Sequence, residues 1–168
     1  FTRFNLFAVL ITIFGIFGSF GTLRDYVTEN STSRISYVEL AGLSVLSSMP
    51  KGVVISPPYS GRSFLSSPQP QYDYVTSSYI SGLSGQSEFL SDQINLDITG
   101  VNYQKKLKEA NRFYNTTNAS WAINFLKENK INYVYEVPLR KLSLNYSSIG
   151  LQPIFTSPEI NIYHFAGI

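Results

Sequence analysis

The sequence predicts an α/β protein: one N-terminal transmembrane helix, then a small domain with a mostly parallel sheet and a C-terminal antiparallel hairpin. Three observations carry this. Residues 4–20, FNLFAVLITIFGIFGSF, hold no charge. Downstream, short apolar runs at 53–55 and 131–137 are separated by segments with helical periodicity, which implies crossovers and a parallel sheet. The chain closes on two strand-like runs around Ser157-Pro158.

About 17 to 25 apolar residues cross the hydrocarbon core as a helix, at a rise of about 1.5 Å per residue. Ring-bearing and β-branched side chains go all the way round residues 4–20, so no polar face remains, and a soluble amphipathic helix keeps one. Arg3 closes one end and Arg24 with Asp25 the other. The span is therefore read as 4–23, within an N-terminal segment 1–27. The alternatives are a secretory signal peptide and a buried core helix. A charged start and apolar centre fit a signal peptide, but Gly18-Ser19-Phe20 breaks the small-x-small cleavage pattern at its last position. A chain opening at Phe1 is expected to have been processed or cut from something longer.

Residues 28–35 read as a polar linker, and 36–168 as one α/β domain. Ser36 and Glu39 have capping-box spacing: the hydroxyl serves the first-turn amides, and the carboxylate is expected to reach back to the cap amide. Ile35 and Leu40 flank it as a staple. Val38, Ala41 and Val45, with Leu40, Leu43 and Leu46 beside them, form a broad apolar face. Pro50 and Gly52 stop this helix. Val53-Val54-Ile55 has the undivided apolarity of a strand buried on both faces. Residues 57–76 are a long loop rich in proline, serine and glutamine, and loops of that length in compact domains are functional or disordered. A short helix at 77–83 precedes Gly85, 88–90 is a weak strand, and 92–100 is a loop.

Two helices follow. In 101–114, Tyr103, Leu107, Ala110 and Tyr114 share a stripe. In 119–128, capped by Asn118, Ala119, Ala122, Ile123 and Leu126 face inward and Trp121 meets Phe125 at i, i+4. Residues 131–137 form a strand ended by Pro138. Residues 151–155 and 159–165 pair about a turn in which Pro158 takes the second position. The order predicts a Rossmann-like three-layer arrangement.

Composition excludes several classes. The chain has 168 residues and no cysteine, which rules out disulfides, thiolate metal sites and a cysteine nucleophile. Net charge is +2, too little to point to nucleic acid. The single histidine, His164, sits between Tyr163 and Phe165 and reads as a surface or edge-strand residue. No G-x-S-x-G elbow, Walker A motif or G-x-G-x-x-G fingerprint is present. Ser56-Pro57-Pro58 stands where a nucleotide loop follows its strand, and proline offers no amide to a phosphate. Four N-x-S/T matches, at Asn30, Asn115, Asn118 and Asn145, are expected by chance in an Asn- and Ser-rich chain. No cofactor, metal site or catalytic residue is assigned.

Candidate ligand contacts lie past the carboxyl ends of the strands, where open α/β sheets bind ligands. Tyr59, Arg62, Tyr72, Tyr74, Asp92 and Asn95 are expected to gather there. Arginine grips a phosphate or carboxylate, and tyrosine stacks on a sugar. The carboxylates Asp73, Glu88, Asp92 and Asp97 lie in or near the same loops. An acid/base pair among them is not required by their spacing, and solvated loop carboxylates are the commoner case.

The succession of an apolar helix, a capped helix ending in proline, "GVVISPPYSG", "NLDITGVNYQKKLKEANRFY", "AINFLKENKINYVYE" and "FTSPEINIYHF" resembles the C-terminal part of polytopic bacterial and archaeal membrane proteins. Membrane glycosyltransferases of the GT-C type are among them. The resemblance implies a last transmembrane helix with an extracytoplasmic tail domain in the cell membrane. It also implies a parent enzyme using a polyprenyl-phosphate sugar. Catalysis in that group lies in an early loop between the first helices, so no catalytic residue carries over to this chain. The expected role is scaffolding, or contact with donor or acceptor. The alternative is a single-span membrane-anchored domain that binds a ligand or protein without enzymatic role. Expected partners are the bilayer, a polyprenyl-phosphate sugar and the upstream membrane part of the same chain, and not nucleic acid.

Overall fold

The structure is a computed structural model that describes residues 8–9, 11–17, 33–59, 69–73 and 78–167. Of the expected span, residues 8–9 and 11–17 are helical and the rest lies outside the described residues. Among the described residues, no helix is long and apolar enough to cross a membrane. The last part of the linker, Ser33–Arg34 (β1), pairs in parallel with Gln69–Pro70 (β3) as a separate two-stranded sheet.

The main sheet joins Val53–Ile55 (β2), Ser87–Glu88 (β4), Ile131–Glu136 (β5), Leu151–Thr156 (β6) and Asn161–Phe165 (β7), in the order β4-β2-β5-β7-β6. β4, β2 and β5 are parallel, and β7 is antiparallel to both β5 and β6. The expected mixed sheet with an antiparallel hairpin is present. β5 is central because five of its six residues are buried. Val53 pairs with Ile131 but Val54 with Tyr133, so Asn132 bulges out, and its Oδ1 accepts the Val53 amide at 3.0 Å. The bulge shifts the alternation that follows. Ile131 and Val134 join one core, and Tyr133 and Tyr135 the other.

Helices cover both faces, giving three layers. Gln104–Asn115 (α4) and Ala119–Glu128 (α5) bring Phe113, Tyr114, Ala122, Phe125 and Leu126 against Ile131 and Val134. Asn118 caps α5 by accepting the Trp121 amide at 2.9 Å, and Trp121 stacks on Phe125. On the opposite face, Tyr37–Ser48 (α1) and Tyr79–Ser84 (α2) bring Leu43, Leu46 and Ile80 against Tyr133 and Tyr135. Gly85 ends α2 at φ 64°, a left-handed value that glycine adopts freely.

Three expectations are corrected. The buried stripe of α1 is Glu39, Gly42, Leu43 and Leu46, while Val38, Leu40 and Ala41 are exposed. Gly42 permits this rotation, because an added Cβ would lie 2.5 Å from Ile160 Cδ1 and 3.0 Å from the Phe155 ring. The Ser36 cap is present, its Oγ accepting the Glu39 amide at 3.0 Å, but the Glu39 carboxylate turns inward to two tyrosines. The segment expected as a loop contains a helix, Gln93–Ile98 (α3), capped by Asp92. It buries no residue, so no apolar periodicity announced it.

Leu46 is fully buried beneath α1. Leu46→Ala is expected to destabilise the domain by about 2–5 kcal/mol. Urea unfolding followed by fluorescence of Trp121, the single tryptophan, measures this. A loss below about 1 kcal/mol contradicts the packing of α1.

Candidate functional site

The three parallel strands release their chains on one edge, and a cleft opens there. Ser56, Pro57, Pro58 and Tyr59 follow β2. Leu90, Ser91 and Asp92 follow β4, and Tyr135 and Val137 stand at the end of β5. Tyr72, Tyr79, Glu88 and Gln93 complete its polar lining. The cavity is about 50 Å³, room for roughly four waters, and it opens to solvent.

Each wall has a local cause. The Arg140 guanidinium donates to Pro58 O and to Asn111 Oδ1, both at 3.4 Å, which pins the turn after β2 to α4. Tyr114 Oη shares its proton between Tyr135 O at 2.7 Å and Ile55 O at 3.1 Å, clasping the ends of β5 and β2. Asp92 sits at φ 49°, a left-handed conformation that aspartate tolerates better than most residues. From there its carboxylate accepts the Asn95 amide at 3.4 Å and Asn95 Nδ2 at 2.5 Å.

Glu88 is partly buried. Its Oε1 accepts Ser56 Oγ at 3.0 Å, and Oε2 accepts Ser81 Oγ at 3.2 Å and the Ser81 amide at 3.4 Å. Burial raises its carboxyl above the usual carboxylate value, against these bonds, and the nearby Asp92 charge raises it further.

Behind the cleft lies Glu39, 3% exposed. Its Oε1 accepts Tyr79 Oη and Tyr135 Oη, both at 2.6 Å. Burial raises this carboxyl too, more than the two phenols lower it. Both tyrosines also line the cleft, so Glu39 positions two of its walls. On the other face Glu136, fully buried, accepts the Leu142 amide at 2.8 Å and Tyr146 Oη at 3.2 Å, and burial likewise raises it. A second cavity of about 180 Å³ shares the Tyr72 wall and is lined by Arg34, Ser36, Glu39, Pro70 and Glu159. Ser36 Oγ donates to Glu159 there.

Of the six expected contacts, the structure brings Tyr59, Tyr72 and Asp92 into one cleft. Asn95 is exposed on α3 and serves Asp92 rather than the cavity. Arg62 and Tyr74 lie outside the described residues, as does the side chain of Asp73. Asp97 accepts Tyr103 Oη at 3.0 Å. Sequence reasoning missed Ser56, Tyr79 and Tyr135 as lining residues and Glu39 as their organiser. One signal was available: Glu39, Gly42, Leu43 and Leu46 recur at i, i+3, i+4 and i+7, which places a carboxylate on the buried stripe. His164 stands 5.6 Å, ring to ring, from Tyr133. Among the described residues no group of three or more metal-ligating side chains converges.

No family model matches the chain, and no curated protein or solved structure matches it. The site is therefore read from its own chemistry. Its described lining offers carboxylates, phenols, two serines and a glutamine but no cation, so it suits a neutral ligand rich in hydroxyls better than a phosphate.

A carboxyl whose value is higher folded than unfolded stabilises the fold while protonated. That contribution is complete below the unfolded value, 4.5 for Glu39, and is lost as pH rises through the raised folded value. Unfolding free energy is thus expected to fall as pH climbs from about 4.5 toward neutral. Glu39→Gln should flatten that fall in part, since Glu88 and Glu136 act in the same direction. Urea unfolding across this pH range checks it, and an identical slope in the variant contradicts it.

Proposed function

We propose that this domain is the membrane-tethered, extracytoplasmic tail of a glycosyltransferase and contacts the sugar of a lipid-linked substrate without performing the chemistry. The observation that carries the reading is the cleft at the carboxyl ends of β2, β4 and β5, with Tyr59, Tyr72 and Tyr79 beside Glu88 and Asp92. Carboxylates accept hydrogen bonds from sugar hydroxyls, and aromatic faces cover the apolar side of the ring. At about 50 Å³ the cavity takes one edge of a sugar, and the remainder lies at its mouth. Both carboxylates already hold structure: Glu88 anchors Ser56 and Ser81, and Asp92 caps α3. That favours binding over acid/base catalysis.

Two further observations support the tether. Val9, Ile11, Ile13, Phe14, Ile16 and Phe17 are all exposed on the N-terminal helix, Phe14 at 75% and Phe17 at 73%. A cluster of bare apolar side chains asks for a cover, and a span at 4–23 supplies the bilayer. The chain also enters the domain at the cleft edge. Glu39, one turn into α1, meets Tyr135 near the carboxyl end of β5, whereas Pro50, past the end of α1, accepts Tyr133 Oη at 2.7 Å. The nine residues 24–32 reach at most about 30 Å, which keeps the cleft within reach of a lipid-linked sugar. The glycosyltransferase parent comes from the resemblance of the sequence.

Amide exchange on the full chain in micelles tests the reading. A polyprenyl-phosphate hexose is expected to protect residues 53–59 and 87–96, and Asp92→Asn to weaken that protection about tenfold, the loss of one charged hydrogen bond. Equal protection by polyprenyl phosphate lacking the sugar contradicts sugar recognition.

A further inference from the structure

Four of the thirteen lysines and arginines of the chain stand on one helix. α4 carries Lys105, Lys106, Lys108 and Arg112 against a single carboxylate, Glu109, a net +3 where the whole chain has +2. The rest of the molecule is therefore net negative. Lys105, Lys108 and Arg112 stand at i, i+3 and i+7, on one helical face, and all three are exposed. Three lysines occupy the first half of the helix, where the macrodipole favours acids. Tyr103, at the N-cap, supplies no side-chain cap. The ion pair of Lys105 with Glu109 is long, 3.9 Å, and leaves the lysine side chain 87% exposed. Helix stability does not account for this placement.

Apolar exposure immediately precedes it in sequence. Ile98 is 75% exposed and Val101 51%, on either side of Gly100 at φ 70°. Asp97, the nearest carboxylate in sequence, is engaged by Tyr103 Oη. Bare apolar side chains that lead directly into a cationic stripe match an anionic bilayer surface. Lysines are drawn to the headgroups, and isoleucine and valine enter the boundary beneath them. A soluble polyanion would use the lysines and leave Ile98 and Val101 without a role.

The placement within the fold agrees. Lys106 Nζ donates to Phe89 O at 3.3 Å, just past β4, while Tyr114 Oη reaches the ends of β2 and β5. α4 thus reaches the carboxyl ends of all three parallel strands through Lys106 and Tyr114, the same edge at which α1 begins.

We propose that the surface formed by Ile98, Val101, Lys105 and Lys108 docks on anionic lipid headgroups and holds the cleft edge of the domain at the membrane. The proposal rests on the membrane tether of the preceding reading and not on sugar binding.

Trp121 reports the event, since its ring lies 4.1 Å from the Arg112 guanidinium. The full chain is reconstituted in vesicles of phosphatidylcholine, alone or with phosphatidylserine, and quenching of Trp121 by brominated lipid is measured. Quenching is expected to be several-fold stronger with phosphatidylserine. Lys105→Gln combined with Lys108→Gln should return it to the neutral-lipid level, as should high salt. Ile98→Ser should weaken it while leaving the salt dependence in place. Equal quenching in both lipids, or quenching untouched by the double variant, overturns the proposal. So does preferential binding of heparin with no vesicle contact. Failure to float with neutral vesicles contradicts the tether instead, and docking then reads out as flotation with anionic vesicles alone.

Discussion

A carboxylate with almost no access to water has to be satisfied by its neighbours, and at Glu39 those neighbours come from different layers. Tyr79 belongs to α2 and Tyr135 to the central strand, and both phenols point at one oxygen of Glu39 on α1. A hydrogen bond to a charged or strongly polar buried group contributes about 1.5–3 kcal/mol, and leaving the group unpaired costs at least as much. The cluster therefore does what apolar contact cannot. Leucines tolerate a slide of α1 along the sheet, whereas two phenol bonds of 2.6 Å allow a single register. Gly42 adds the steric half of the same constraint by letting α1 sit close to Phe155.

The opposite face repeats the device one residue later. Tyr135 and Glu136 are neighbours on β5 and point to opposite sides, so one strand end is fastened in both directions. Glu136 binds the chain returning through Leu142 and Tyr146, and Tyr146 stacks on Tyr163 at 4.5 Å. Tyr114 closes the end from α4. These polar fixings lie toward the carboxyl ends of the strands, and the amino ends have their own: buried Gln86 accepts the Gly52 amide at 2.8 Å and donates to Leu46 O at 2.9 Å, and Tyr133 Oη donates to Pro50 O at 2.7 Å. The carboxyl end, fastened on both faces, carries the cleft and the entry of the chain. A ligand cleft whose walls are already ordered loses less entropy on binding.

Much of the fold was legible in the sequence because an apolar run, a cap residue or a turn residue marked the elements concerned. Val53-Val54-Ile55, the α5 segment with its Asn118 cap, and the closing hairpin about Pro158 were all readable on that basis. Where pattern was lacking, reading failed. α3 fully buries no residue and packs on the core only through half-buried Leu96, so it looked like a loop. The α1 face was misjudged because hydrophobicity voted for Val38, Leu40 and Ala41, while the close approach at Gly42 and the buried carboxylate turned the helix the other way. In the site, Tyr59, Tyr72 and Asp92 were accessible because strand ends predict where loops converge. Tyr79 and Tyr135 were not, since their role depends on a contact with Glu39 spanning 96 residues in one case. The capping box was a local reading that a tertiary bond displaced.

Cooperation between Glu39 and its phenols is the claim on which this account of the fold and the cleft depends. A double-mutant cycle measures it directly, with Glu39→Gln, Tyr135→Phe and the double variant unfolded in urea near neutral pH. The account predicts a coupling energy of about 1–3 kcal/mol. Additivity within about 0.5 kcal/mol would show that the two side chains act independently and would contradict it.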